Sequence, residues 1–185
     1  MKKLSSFTFI TLNGFTEGPK QGQIDWHLHG KEENEFAAES MEDGNTLIFG
    51  RKTYELMASY WRTPMAMQND PEVSAGMNEA DKIVFSRTMK TVEWNKTRLI
   101  NGNLIEEIQS LKKGKGPGLT LLGSGSVLIQ LADAGLVDEF AFMLDPVAIG
   151  SGTSLFDGLK TILNLKLIRV RTFSSGTVLL QYVPN

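Results

Sequence analysis

The sequence predicts an α/β fold, a mostly parallel central sheet flanked by helices with a C-terminal antiparallel hairpin. Three observations carry this. Short runs rich in β-branched and aromatic residues alternate with helix-length segments bearing an apolar stripe through most of the chain, the order expected of strands joined by crossover helices. Two of those runs end directly in a glycine turn that opens a helix, at Gly50 and at Gly123. The last two runs, Leu165 to Phe173 and Thr177 to Val183, flank Ser174-Ser175-Gly176, a hairpin signal.

Taken in order, Ser6 to Leu12 is rich in Phe, Ile and Thr and reads as a buried first strand ending at the turn signal Asn13-Gly14. Phe15 to Gly30 is punctuated by Gly18, Pro19 and Gly22 and reads as a loop holding Asp25, Trp26, His27 and His29. Lys31 to Glu42 gathers Phe36, Ala37, Ser40 and Met41 on one helical face, and Asp43-Gly44 stops it. Thr46 to Phe49 is a strand that enters Gly50-Arg51-Lys52-Thr53, after which Tyr54, Met57, Ala58 and Trp61 recur at helical spacing. Arg62 to Glu79 contains Pro64, Pro71 and Gly76 without a clear period and reads as a loop with one helical turn. Strands at Lys82 to Phe85 and Thr97 to Ile100 precede a helix marked by Leu104, Ile105, Ile108 and Leu111. The lysines that close it, Lys112, Lys113 and Lys115, read as a solvated helix end facing the negative pole of the dipole rather than as a binding patch. Leu119 to Leu122 is the next strand, Gly123-Ser124-Gly125-Ser126 its turn, and Val127, Leu128, Leu131 and Ala134 the stripe of the following helix. Glu139 to Leu144 is a further strand, followed by Asp145-Pro146 and the loop Gly150 to Ser154.

A chain of 185 residues fits a single domain, 1–185, with a substantial core. A formal charge of −2 without a long basic run argues against nucleic acid or an anionic membrane as partner, so a small molecule is expected instead. No apolar run approaches membrane-spanning length, and the first strand, interrupted by Thr8 and Thr11, is too short for a signal peptide. The absence of cysteine excludes disulfides and thiolate chemistry and is compatible with a cytoplasmic protein. His27 and His29 lack a clear third ligand, so no metal is expected.

Three strand ends carry phosphate-friendly chemistry: Gly50-Arg51-Lys52-Thr53, Ser86-Arg87 and Gly123-Ser124-Gly125-Ser126. The exposed N–H groups at a helix start favour an anion, and in an open α/β sheet ligands bind at the carboxyl ends of strands, where distant turns converge. Two helix starts suit a pyrophosphate; Arg51, Lys52 and Arg87 suit a further phosphate monoester, which favours NADP over NAD. Taken singly, the glycine turns read equally as ordinary βα connections and the cations as exposed charges.

The order and spacing of these pieces resemble the dihydrofolate reductase-like superfamily, in the branch of the C-terminal reductase domain of bacterial riboflavin biosynthesis. The resemblance runs through Thr11-Leu12-Asn13-Gly14-Phe15, Phe49 to Glu55, Val84 to Thr88, Leu122 to Ser126 and Asp145 to Phe156. It implies a homodimeric, NADPH-dependent reductase of a small heterocycle, pteridine- or pyrimidine-like. It implies that Gly50, Arg51, Lys52, Thr53, Gly123, Ser124, Gly125 and Ser126 hold the pyrophosphate, that Ser86 and Arg87 hold the 2′-phosphate with Arg51 or Lys52, and that Asn13 and Gly14 lie near the nicotinamide. For the substrate, Trp26 and Trp61 are candidate walls for a flat ring, or else ordinary packing. Asp25 is the candidate proton donor if Trp26 buries it, with His27 a further candidate; capping or a surface charge is the alternative for Asp25, and water the alternative donor. A non-catalytic nucleotide-binding protein of the same fold is the competing function.

Overall fold

The computed structural model describes residues 1–28 and 30–185; His29, read above as one of two loop histidines, lies outside the described residues. In chain order the elements are β1 (Leu4–Thr11), β2 (Phe15–Glu17), α1 (Lys31–Glu42), β3 (Thr46–Gly50), α2 (Arg51–Trp61), α3 (Pro64–Asn69), α4 (Pro71–Glu79), β4 (Lys82–Phe85) and β5 (Thr97–Ile100). They continue with α5 (Leu104–Lys113), β6 (Leu119–Leu122), α6 (Gly125–Asp133), β7 (Glu139–Asp145), β8 (Thr153–Ser154), β9 (Leu165–Thr172) and β10 (Val178–Pro184).

Eight strands form one sheet in the order β5-β4-β3-β6-β1-β7-β10-β9, and β2 pairs with β8 in a small second sheet. From β5 to β7 every pairing is parallel, and β10 runs antiparallel to both β7 and β9. The parallel strands are covered on both faces, which is why they read as continuous apolar runs: all four residues of β4 are buried. Successive residues of β3 feed different cores. Ile48 packs with Leu121, Ile108, Leu128 and Phe140, whereas Leu47 and Phe49 pack with Tyr54, Met77, Val84 and Trp94.

Two expectations need correction. Residues 62 to 79 are not a loop but two short helices. Both prolines sit at helix starts, where the missing N–H costs nothing, and Thr63 accepts a hydrogen bond from the Ala66 N–H while Val73 and Met77 bury the inner face. Lys112 is not solvated: its ammonium donates to the Leu136 carbonyl and the Asp138 carboxylate, tying α5 to the segment after α6. The small sheet of β2 and β8 arises inside two segments read as loops.

Lys82, only 1% exposed, satisfies the carbonyls that α4 leaves unpaired at its end. Its ammonium donates to Met77 (2.9 Å), Asn78 (3.2 Å) and Ala80 (2.6 Å) and lies 4.7 Å from the centre of the Trp94 ring, while burial pushes it down to about 8. Replacing it by Met keeps the stem and strands three carbonyls. Urea denaturation of Lys82→Met is expected to show an unfolding free energy lower by about 2–3 kcal/mol; an unchanged midpoint would contradict this role.

Candidate functional site

Because β5, β4, β3, β6, β1 and β7 are parallel, their carboxyl ends share one edge of the sheet, and a cavity of about 1190 Å³ opens along it. Its floor is built by the two glycine turns. Gly50 and Ser124 stand at the N-caps of α2 and α6, and neither offers a side-chain acceptor to the first turn of its own helix. The starts of two helices are thus left for another acceptor. The turns touch each other: Ser124 Oγ accepts from the Gly50 N–H (2.9 Å) and donates to the Leu122 carbonyl (3.0 Å). This geometry requires consecutive left-handed residues, Gly123 at φ 53° and Ser124 at φ 57°. A Cβ on Gly123 would also come within 3.3 Å of the Thr53 methyl.

Beyond α2, Ser86 and Arg87 line the cavity together with Asn101 to Ile105. The Ser86 hydroxyl is occupied in its own turn, accepting from the N–H groups of Thr88 (3.2 Å) and Met89 (3.0 Å). Arg51 pairs with Glu55 one helical turn on, at 3.2 Å, leaving Lys52 and Arg87 as exposed cations of this end.

On the far side of the glycine turns the wall is β1. Its pairing with β6 stops at Phe7↔Leu122, but its pairing with β7 continues to Thr11↔Asp145, so from Thr8 onward the β6-facing edge of β1 is open. Thr8 and Phe9 line the cavity there. The loop after β1 closes this end because it is stitched to the segment after β7. Asn13 exchanges two hydrogen bonds with the Ile149 backbone, the Leu155 N–H donates to the Gly14 carbonyl, and β2 pairs with β8. Only glycine permits this approach at position 152, where a Cβ would lie 2.1 Å from the Glu17 carbonyl oxygen. A buried carboxylate completes the seam: Asp145 accepts from the Leu28 N–H (2.9 Å) and pairs with the His27 ring at Nδ1 (2.9 Å), and that ring stacks on Phe9 at 3.6 Å.

Ten of the residues singled out from the sequence line this cavity: Gly50, Arg51, Lys52, Thr53, Ser86, Arg87, Gly123, Ser124, Gly125 and Ser126. Asn13 and Gly14 instead hold the loop seam. His27 stands one layer behind the wall, against Phe9. Trp61 packs on Tyr60 and donates its indole N–H to Sδ of Met57, which lines the cavity while Trp61 does not. Asp25 and Trp26 border a separate recess of about 270 Å³ with Ile149 to Ser151. Asp25 is exposed, so Trp26 does not bury it. Thr8, Phe9, Glu17, the Asn101 to Ile105 segment and Asp145 gain roles the sequence did not assign; only Asp145, set before Pro146 at a strand end, carried a local signal. No group of three or more His, Cys, Asp or Glu among the described residues could hold a metal, and none of the described helices is long and apolar enough to cross a membrane.

The chain matches the RibD C-terminal domain family over residues 2–179. It is 35% identical to YyaP, an uncharacterized protein of Bacillus subtilis (strain 168), over 173 residues that make up 94% of this chain and 90% of that one. RibD of Acinetobacter baumannii shares the fold with a TM-score of 0.73 at 15% identity, over 100% of this chain and 58% of that chain. Dihydrofolate reductase from Enterococcus faecalis, solved in complex with NADP(H) and RAB-propyl, shares it with a TM-score of 0.66 at 20% identity, over 99% and 96% of the two chains.

The Ser124 bridge has a direct consequence. Ser124→Ala leaves the Gly50 N–H without its acceptor and is expected to lower the unfolding free energy by about 1–2 kcal/mol, read by urea denaturation. A loss below a few tenths of a kcal/mol would show that the turns hold together without it.

Proposed function

Because the chain belongs to the RibD C-terminal domain family, we propose that it is an NADPH-dependent reductase that delivers hydride to a small heterocycle of pteridine or pyrimidine type. The observation that carries this reading is the meeting of two uncapped helix starts, α2 and α6, in one cavity with Lys52 and Arg87 beyond them. The fit is local and chemical. The N–H groups of residues 51 to 53 and 125 to 126 suit a pyrophosphate, and the nearby cations suit a phosphate monoester. On the open edge of β1 it is Phe9 whose backbone N–H and carbonyl face away from β7, and these suit a flat amide-bearing ring. Bound there, NADPH would supply the hydride. The chain's own part is to hold the two ligands in register, to shut water out with the stitched loop wall, and to admit a proton from solvent. Asp25, outside the cavity, is not assigned that proton.

A second reading, a non-catalytic NADPH-binding protein, is favoured by the same displacement of Asp25 from the cavity. NADPH oxidation over a panel of heterocycles separates the two. The proposal extends to a homodimer in the cytoplasm, for which β9 offers a sheet edge with Leu167, Ile168 and Val170 exposed. Sedimentation is expected to give about twice the 20.5 kDa chain mass, and a monomer would contradict that part alone. For the cofactor, NADPH is expected to raise the melting temperature more than NADH does, and Arg87→Ala to bring the two shifts together. Equal shifts in the wild type, or none, would contradict the proposal.

A further inference from the structure

The charges of the cavity are segregated along the sheet. Following the strand order, Arg87 comes after β4, Arg51 and Lys52 after β3, then the glycine turn after β6, and last β1 with its loop. Among the described residues, all three cations that line the cavity therefore stand on the β4–β3 side of that turn, and the charged group lining the β1 side is Glu17. The two remaining charged lining residues are anions as well. Glu55 is paired with Arg51, and Asp157 stands on the segment after Leu155, beside the start of α6. Lys20 and Asp25, on the same loop as Glu17, are exposed and outside the lining.

Glu17 is held rather than neutralised. One carboxylate oxygen accepts from the Gly22 N–H at 2.7 Å and the other from the Thr153 hydroxyl at 2.9 Å; both donors are neutral, and none of the ion pairs among the described residues includes it. Each oxygen keeps a lone pair for a further donor. The lining beside it is mixed, with polar Thr16, Gln21, Thr153 and Ser154 next to Ile24, and Leu56 meets the loop at Gly22.

We propose that the substrate end of the cavity takes an uncharged or cationic heterocycle that donates a hydrogen bond to Glu17, and rejects substrates carrying a phosphate or carboxylate. This rests on the reductase reading, in which the β4–β3 half belongs to the cofactor. An anion placed beside Glu17 would face an unneutralised carboxylate in a partly enclosed site, and among the described residues none of the cations that line the cavity stands on the β1 side to offset its lost hydration. Such a repulsive element sets specificity as firmly as an attractive one.

The test uses the full chain saturated with NADPH and two ligand pairs, each sharing its fused heterocycle: riboflavin against riboflavin 5′-phosphate, and dihydrobiopterin against dihydrofolate. Dissociation constants by calorimetry are expected to favour the uncharged member of each pair by at least about tenfold, and Glu17→Gln to narrow that ratio to about threefold or less. Tighter or equal binding of the anionic members would overturn the proposal, as would failure of the uncharged members to bind, or a ratio that Glu17→Gln leaves unchanged. The NADPH thermal shift, measured first on the same sample, keeps the two levels apart. Its absence removes the reductase reading itself, whereas its presence with a preference for the anionic ligands removes only the substrate assignment.

Discussion

The Ser124 hydroxyl, accepting from the Gly50 N–H and donating to the Leu122 carbonyl, is the contact on which the site depends. It turns two separate strand-to-helix connections into one floor. Because β3 and β6 are neighbours and parallel, their turns emerge side by side; because Gly50 has no side chain and Ser124 spends its own on the other turn, neither helix start is capped from within. Two positive dipole ends therefore face the same cavity. Left-handed backbone at Gly123 and Ser124 is the cost of that arrangement, and for Ser124 it amounts to about 1 kcal/mol or more of local strain.

The opposite wall follows from a different constraint. Asp145 is fully buried at the end of β7, and a buried carboxylate must find donors. It takes them from the loop after β1, through the His27 ring and the Leu28 N–H, and so draws that loop over the sheet edge. Asn13, β2 and β8 extend the same seam, and Glu17 is carried with it to the cavity lining. One end of the cavity is consequently built from helix starts and cations, the other from a stitched loop, an open strand edge and a single carboxylate. That polarity is what makes a two-ligand reaction, with an anionic cofactor and a non-anionic acceptor, the natural reading.

The parts legible in the sequence were those whose chemistry is local. Glycine and serine next to a buried apolar run announce a strand-to-helix turn, so Gly50 to Thr53 and Gly123 to Ser126 were placed from the residues alone, as were the parallel sheet and the closing hairpin. The prolines at positions 64 and 71 read two ways, because a proline breaks a helix interior but fits a helix start; Thr63 and Asp70 directly before them are the cap residues that point to the start. Strands as short as β2 and β8 leave no alternation to read. The His27–Asp145 pair spans 118 residues, and the docking of Gly22 on Leu56 is equally non-local, so the loop wall and the place of Glu17 emerged only from the folded chain. Trp26 is the sequence neighbour of Asp25, yet adjacency in a loop does not imply burial, and Asp25 is exposed.

The central claim, that the two helix starts together hold a pyrophosphate, can be read residue by residue through amide hydrogen exchange with and without NADPH. The account predicts slowed exchange in both segments, residues 51 to 53 and residues 125 to 126, at the same NADPH concentration. Protection of one segment without the other, or of neither while NADPH is bound elsewhere, would contradict it.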